Sequence, residues 1–228
     1  MKKNKFYLKK IGRQGEISIW LVNGNQIRNE LDKEFTNFGQ HYRFSFIPEQ
    51  EFWLDQEASP DEQNFFIDHL LIEWKLMKNG LPYFLATTLA NIKEHSERLK
   101  SKDWKKATLK NKRSLIENIH LRLLKKLKNN LMVWLVDGKL IRDLYDIEFT
   151  EGGHDLVYKY IPQNEIWIDN DILAQERLYI ALHEIYERKK MAKKICYSQA
   201  HQLASRIEWQ ARLDKNKLKQ NLEKLGWQ

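Results

Sequence analysis

Residues 51–55 have the sequence Glu-Phe-Trp-Leu-Asp, and residues 165–169 repeat it as Glu-Ile-Trp-Ile-Asp, 114 positions later in a chain of 228. Shorter blocks nearby, Glu-Phe-Thr and Ile-Pro, recur at the same shift. Across residues 17–94 and 131–208, 26 of the 78 paired positions are identical without a gap. Internal repetition of this kind means that one structural unit occurs twice in the chain.

The first part of each copy has the composition of β-strands. In copy two, residues 131–136 are rich in β-forming side chains and precede Asp-Gly at 137–138, a dipeptide typical of tight hairpin turns. Further strands are predicted at residues 139–141, 156–160 and 165–169. Together these segments predict a small antiparallel sheet in each copy.

The second part of each copy has helical periodicity. Helices are predicted at residues 172–191 and 198–213, with counterparts at 60–77 and 82–99 in copy one. The predicted fold class is therefore α+β, a tandem duplication of a small antiparallel sheet followed by a helical hairpin.

The net charge of +8 is concentrated between the copies. Residues 93–130 hold 13 Lys and Arg against four acidic residues, with a capping-box sequence at Ser114. Apolar residues in this stretch recur at helical spacing: Ile116, Ile119, Leu123 and Leu127. The pattern predicts a basic amphipathic helix at residues 101–130, which joins a first repeat at 1–100 to a second at 131–228.

Composition limits the function classes. The single cysteine, Cys196, excludes an intrachain disulfide, and no stretch has the length of a membrane span or of a signal peptide, so a cytoplasmic location is expected. No P-loop, dinucleotide fingerprint or nucleophile elbow occurs. The basic stretch 93–130 is either a solvated linker or a binding segment for nucleic acid, an acidic protein or a membrane surface. The oligomeric state is left open.

The helical parts of both copies carry the same polar side chains on one face. In copy two, Glu176, His183 and Glu187 occupy positions i, i+7 and i+11 of one helix. The matching residues of copy one are Glu62, His69 and Glu73, and the second helices add Glu208 and Glu94. One interpretation is a buried hydrogen-bonded lock between the helices, because buried polar groups need partners.

Copy two adds two side chains that copy one lacks: Glu184 replaces Leu70, and His201 replaces Thr87. The sequence His-Glu-Ile-Tyr-Glu at 183–187, followed by a helix with a histidine and a glutamate, resembles the active-site helix of zincin-type metallopeptidases. Those enzymes have a second histidine where this chain has a glutamate.

The zincin resemblance, which covers residues 183–208, implies zinc or another divalent metal. The ligands that it implies are His183 and Glu187 with His201 or Glu208. Glu184 would act as the general base that activates water on the metal. His154, beside a Gly-Gly pair, is a further candidate ligand.

Two functional hypotheses follow. The first is a metal-dependent hydrolase, peptidase-like, with one site in copy two and a degenerate copy one. The second is a non-catalytic structural or assembly module that binds nucleic acid or an acidic partner through its basic helix. The repeated block also resembles small uncharacterised proteins of phage and bacterial genomes, which would imply a mobile-element setting and a virion-associated location as the alternative to the cytoplasm.

Overall fold

The computed structural model of the protein describes residues 5–101 and 115–227. The chain forms two compact units, and residues 142–148 group with the first of them. The described remainder of the second unit is residues 115–141 and 149–227. Within the described ranges, no helix is both long and apolar enough to cross a membrane.

The two units have closely similar elements in the same order. In the first they are β1 (Tyr7–Gln14), β2 (Ile17–Val22), α1 (Gly24–Glu30), β3 (Phe38–Gln40), β4 (Glu51–Asp55), α2 (Gln63–Lys78) and α3 (Tyr83–Arg98). Further along the chain are α4 (Leu115–Ile119), β5 (His120–Lys126), a 3-10 turn (Lys128–Asn130), β6 (Met132–Val136), α5 (Gly138–Leu144), β7 (Gly152–His154), β8 (Glu165–Asp169), α6 (Arg177–Met191), α7 (Tyr197–Leu213) and α8 (Lys215–Lys224). The α+β class and the duplicated sheet unit are confirmed.

Each sheet is mixed rather than antiparallel. The strand orders are β1-β2-β4-β3 and β5-β6-β8-β7, and the two central strands of each sheet run parallel. Trp20 lies opposite Trp53, and Trp134 lies opposite Trp167. The prediction of antiparallel sheets was wrong for this central pair, because a strand buried on both faces has a continuous apolar sequence whichever way its neighbour runs.

The predicted hairpin turn after the first central strand is a helix start instead. The Asn23 and Asp137 side chains accept hydrogen bonds from backbone amides three residues ahead, as helix N-caps do. A Cβ on Gly138 would lie 2.1 Å from the Asp169 carboxylate, so glycine is needed for packing there. Residues 139–141 therefore belong to α5 and form no strand, which corrects the sequence prediction.

The strand predicted at residues 156–160 is also absent, and those residues form turns. The strand that pairs with β8 is β7, which lies just before these residues in the sequence. Gly153 lies so close to the Tyr158 ring that a Cβ would be 2.5 Å away. Tyr158 and Ile161 pack into the core from this turn, which explains their β-like apolar pattern.

The basic connecting helix predicted at residues 101–130 does not continue to residue 130. Helix α4 ends at Ile119, and the next seven residues form β5, which pairs antiparallel with β6. Residues 102–114 lie outside the described part of the chain. For residues 120–126, pairing with the edge of β6 and the packing of Leu127 into the core outweighed the helical periodicity of the sequence, as tertiary contacts commonly do.

The helical hairpins follow the prediction closely. Helix α2 packs on the first sheet and α3 packs against α2, and α6 and α7 have the same arrangement in the second unit. Fully buried Ala200 and Ala204 allow close approach of the α7 backbone. Helix α8, which was not predicted, is capped by Asp214 and buries Leu222 against this hairpin. The hairpins fix the positions of the shared polar face.

Candidate metal centre

Three side chains of the second unit converge between α6 and α7. His183 and Glu187 are one turn apart on α6, and His201 lies one turn into α7. The distances are 3.4 Å from His183 Nε2 to Glu187 Oε2, 2.8 Å from His201 Nδ1 to the same oxygen, and 3.2 Å between the two ring nitrogens. These three atoms form a nearly equilateral triangle.

The dimensions of this triangle match a tetrahedral zinc site. Zinc–nitrogen and zinc–oxygen bonds are about 2.0–2.2 Å, so two ligand atoms at tetrahedral angles are separated by about 3.3 Å. The triangle edges of 2.8, 3.2 and 3.4 Å are close to that value. A donor set of two imidazoles and one carboxylate is one that zinc uses in hydrolytic enzymes.

Glu208 lies behind His183 rather than at the triangle. Its Oε2 is 2.9 Å from His183 Nδ1, and its Oε1 accepts a hydrogen bond of 2.8 Å from Arg212. The structure therefore gives Glu208 the geometry of an orienting partner, which fixes the ring so that Nε2 points toward Glu187. Burial opposes charge on His183, but hydrogen bonds to Glu187 and Glu208 outweigh it and raise the pKa of His183 to about 10.

His154 contacts Glu187 from the sheet side. Its Nε2 is 3.0 Å from Glu187 Oε1, and its Nδ1 accepts a hydrogen bond from the backbone amide of Leu156. A ring nitrogen that accepts a hydrogen bond carries no proton, so the proton is on Nε2 and His154 donates to Glu187. His154 thus groups with Glu184 and Glu187 in space, but its tautomer makes it a hydrogen-bond donor.

Glu184 lies beside the triangle without a hydrogen-bond partner among the described residues. One of its carboxylate oxygens lies within 4.8 Å of ligand atoms of Glu187 and His154. Burial raises the pKa of the Glu184 carboxyl. Burial also acts to raise the pKa of Glu187, but hydrogen bonds from three histidines outweigh this effect and lower it. Two neighbouring carboxyl groups with opposite pKa shifts are typical of a division between ligand and proton carrier.

Copy one contains the same helical scaffold, but side-chain donors satisfy its central carboxylate, that of Glu73. Glu73 accepts a hydrogen bond of 2.7 Å from Gln40 and another from Thr87, and His69 Nε2 lies 3.5 Å away. Gln40 also accepts from a backbone amide two residues ahead, as His154 does in copy two. His69 Nδ1 lies 2.9 Å from Glu94, the counterpart of Glu208. Copy one is therefore the hydrogen-bonded lock that sequence analysis considered.

A paired exchange creates the room for Glu184. In copy one the Phe38 ring lies 5.0 Å from His69, and Leu70 packs into the same core. In copy two Gly152 replaces Phe38, and a Cβ there would lie 3.3 Å from the Glu184 side chain. The aromatic ring and the leucine are thus replaced together by a glycine and a carboxylate.

The remaining predicted residues lie apart from the triangle. Glu176 is buried at the start of α6 and pairs with Arg212 at 2.7 Å, so it supports the hairpin. In the basic stretch 93–130, nearly half of the basic residues fall outside the described ranges. Among the described ones, Arg98 is buried and paired with Glu94, as Arg212 is with Glu208. Neither arginine was predicted from the sequence, although the two also recur at the shift of 114, four residues beyond the last glutamate pair.

No family model, curated protein or solved structure matches the chain. The chemistry of the site therefore has to be inferred from its own geometry, and the internal copy supplies the comparison that relatives would otherwise give.

Proposed function

We propose that the second repeat binds one divalent metal ion, with zinc as the first expectation, through His183, Glu187 and His201, and that it acts as a metal-dependent hydrolase. The observation that carries this proposal is the triangle of ligand atoms with edges of 2.8–3.4 Å. A hydrogen-bonding role alone does not explain this triangle, because two ring nitrogens that face each other can share only one proton.

The internal copy supports metal binding over a purely structural role. Thr87 and Gln40 satisfy Glu73 with simple donors, and the helical hairpin forms equally well. The fold thus does not require His201 at the position of Thr87. A histidine at this point adds a nitrogen that can bind a metal, and in both copies the first-helix histidine still contacts the glutamate one turn later and the glutamate of the second helix.

The ligand count and exposure support a catalytic rather than a closed structural site. Structural zinc sites have four protein ligands, whereas catalytic sites have three and leave a position for water. His183 and Glu187 are buried, but the His201 side chain is 34% exposed, so solvent can approach from that side. A zinc ion bound in this way would lower the pKa of a coordinated water to about 7.

Glu184 fits the role of general base. It directly follows His183 on α6 and has no competing hydrogen bond among the described residues, and burial raises the pKa of its carboxyl above the ordinary value, which makes it a stronger base. His154 donates to Glu187 and holds its carboxylate in place. His183 is oriented in the same way by Glu208, so that each ligand on α6 has an outer partner.

The test is metal content and hydrolysis in three forms of the protein. Untagged protein purified without chelator is analysed for Zn, Mn, Fe and Ni, and is then compared with Glu187→Gln and with Glu184→Leu, which introduces the residue of copy one. We expect about one ion per chain in the parent and in Glu184→Leu, and a loss of the ion in Glu187→Gln. Turnover of chromogenic esters should be lost in both variants.

Copy one provides the matched control. Glu73→Gln changes the equivalent glutamate, which lies in an equally buried environment, and should leave the metal content unchanged. A parent protein without metal after equilibration with each ion would refute the proposed function. Equal metal loss in Glu73→Gln and Glu187→Gln would mean that the two substitutions act through unfolding.

A further inference from the structure

The turn between α6 and α7 is basic in the copy that carries the candidate metal centre. Lys190, Lys193 and Lys194 lie at the end of α6 and in this turn, and the last two are exposed. Copy one has Leu76, Asn79 and Gly80 at these positions. Since both hairpins have the same fold, the fold itself does not need the three lysines.

The conformation of Lys194 supports a role beyond solubility. Lys194 has φ +67°, and its copy-one counterpart is a glycine with φ +87°. A side chain with a Cβ is strained in this left-handed region, which glycine adopts freely. A lysine that is kept at a glycine position implies a gain elsewhere, and ligand contacts are a common reason for such strain.

The basic turn is close to the metal ligands along both helices. Glu187 is four residues before the end of α6, and His201 is four residues after the start of α7. At 1.5 Å per residue, each ligand is about 6 Å along the helix from the turn. A lysine side chain spans a comparable length, so the ammonium groups of Lys193 and Lys194 can reach a substrate bound at His201, whereas that of Lys190 lies over the Tyr186 ring at 4.9 Å.

The positive charge extends along the C-terminal part of the chain. Residues 188–227 hold 11 Lys and Arg against three acidic residues, so a second basic stretch lies outside residues 93–130. Buried Arg212 is neutralised by Glu208 and Glu176, whereas no ion pair forms at Lys193 or Lys194 among the described residues. This charge would attract anions to the hairpin.

From this combination we infer that the substrate of the centre is a phosphate ester, with phosphodiesters as the class to test first. The inference rests on the proposed function and replaces the peptidase-like expectation. Cations beside a metal ion suit phosphoryl chemistry, because negative charge is spread over the phosphate oxygens in the transition state. In the reaction a water molecule adds to phosphorus as the P–O bond to the leaving alcohol breaks; Glu184 accepts the proton of the water, and the alcohol leaves with a proton from solvent.

The experiment compares three probes on the metal-loaded protein: bis(p-nitrophenyl) phosphate, a single-stranded oligodeoxynucleotide and labelled casein. The test variant carries the copy-one residues, as Lys190→Leu, Lys193→Asn and Lys194→Gly. The charge-matched control carries Lys215→Gln, Lys217→Gln and Lys219→Gln. These three exposed lysines lie in the first half of α8, which starts two residues after the far end of α7, a helix about 25 Å long.

We expect hydrolysis of the phosphodiester probes but not of casein, and loss of that hydrolysis in Glu184→Leu. In the test variant KM for the oligonucleotide should rise at least tenfold with little change in kcat. The slope of log affinity against log salt should fall by about 2, since each single-strand phosphate contact contributes about 0.7. The control variant should change KM much less.

Three results would overturn the inference. They are hydrolysis of casein alone, metal binding with no turnover of either phosphodiester, and equal effects of the two triple variants on KM. The first two leave the proposed metal centre standing, because metal content is measured on the same samples. A protein that binds no metal would refute the proposed function and the inference together.

Discussion

The substitution His201→Thr should weaken metal binding strongly and leave the fold intact. Thr87 already occupies this position in copy one, where its hydroxyl donates to the Glu73 carboxylate. A threonine at 201 therefore removes the proposed metal ligand but keeps a hydrogen-bond donor for Glu187. Most ligand substitutions leave a buried carboxylate without a hydrogen-bond partner. Threonine at this position already satisfies the equivalent carboxylate in copy one.

The magnitude follows from binding linkage. Changes in outer partners of metal ligands weaken affinity about 10- to 100-fold, so loss of a ligand itself should cost at least about 100-fold. At free zinc about 100 times the parent Kd, the ion stabilises the parent by about 2.7 kcal/mol and the variant by only about 0.4 kcal/mol. For a chain of this size the parent should gain about 5–10 °C in Tm on zinc addition, and the variant about 1 °C.

The assay is thermal unfolding with and without zinc, together with calorimetric titration. The reciprocal variant Thr87→His is the control, because His69 Nε2 and Glu73 Oε2 are 3.5 Å apart and His183 Nε2 and Glu187 Oε2 are 3.4 Å apart. We expect two ions per chain in Thr87→His. A zinc-induced Tm shift in His201→Thr equal to that of the parent would refute the assignment of His201 as a ligand.

Three other outcomes are expected. Glu208→Gln should weaken zinc affinity about 10- to 100-fold by calorimetry without removing the site, because it leaves the three ligands in place. Burial opposes the charge on His69, but its two flanking carboxylates raise its pKa to about 9; the stability from this charge is full below about pH 6.5 and is lost as the pH rises through 9. Urea unfolding from pH 6 to 10 should show this loss, and His69→Gln should reduce it. Gly138→Ala should destabilise the protein by about 2 kcal/mol or more in urea, since its Cβ would lie 2.1 Å from the Asp169 carboxylate; an unchanged midpoint would contradict this packing.

The sequence by itself determined the duplication, the helical hairpins and the shared face of histidine and glutamate. These features rest on local periodicity and on the comparison of two copies, which needs no knowledge of distant contacts. The same comparison singled out Glu184 and His201 as additions of copy two, and the structure brings both to Glu187.

Only the tertiary structure decided the strand directions, the identity of β5 and the roles of His154 and Glu208. A strand takes its direction and its partner from residues far along the chain, so an apolar run is compatible with either arrangement. Likewise, a histidine is a ligand or a donor according to what its second nitrogen contacts. For His154 that contact is the amide of Leu156, and for His183 it is Glu208, which is 25 residues away in sequence.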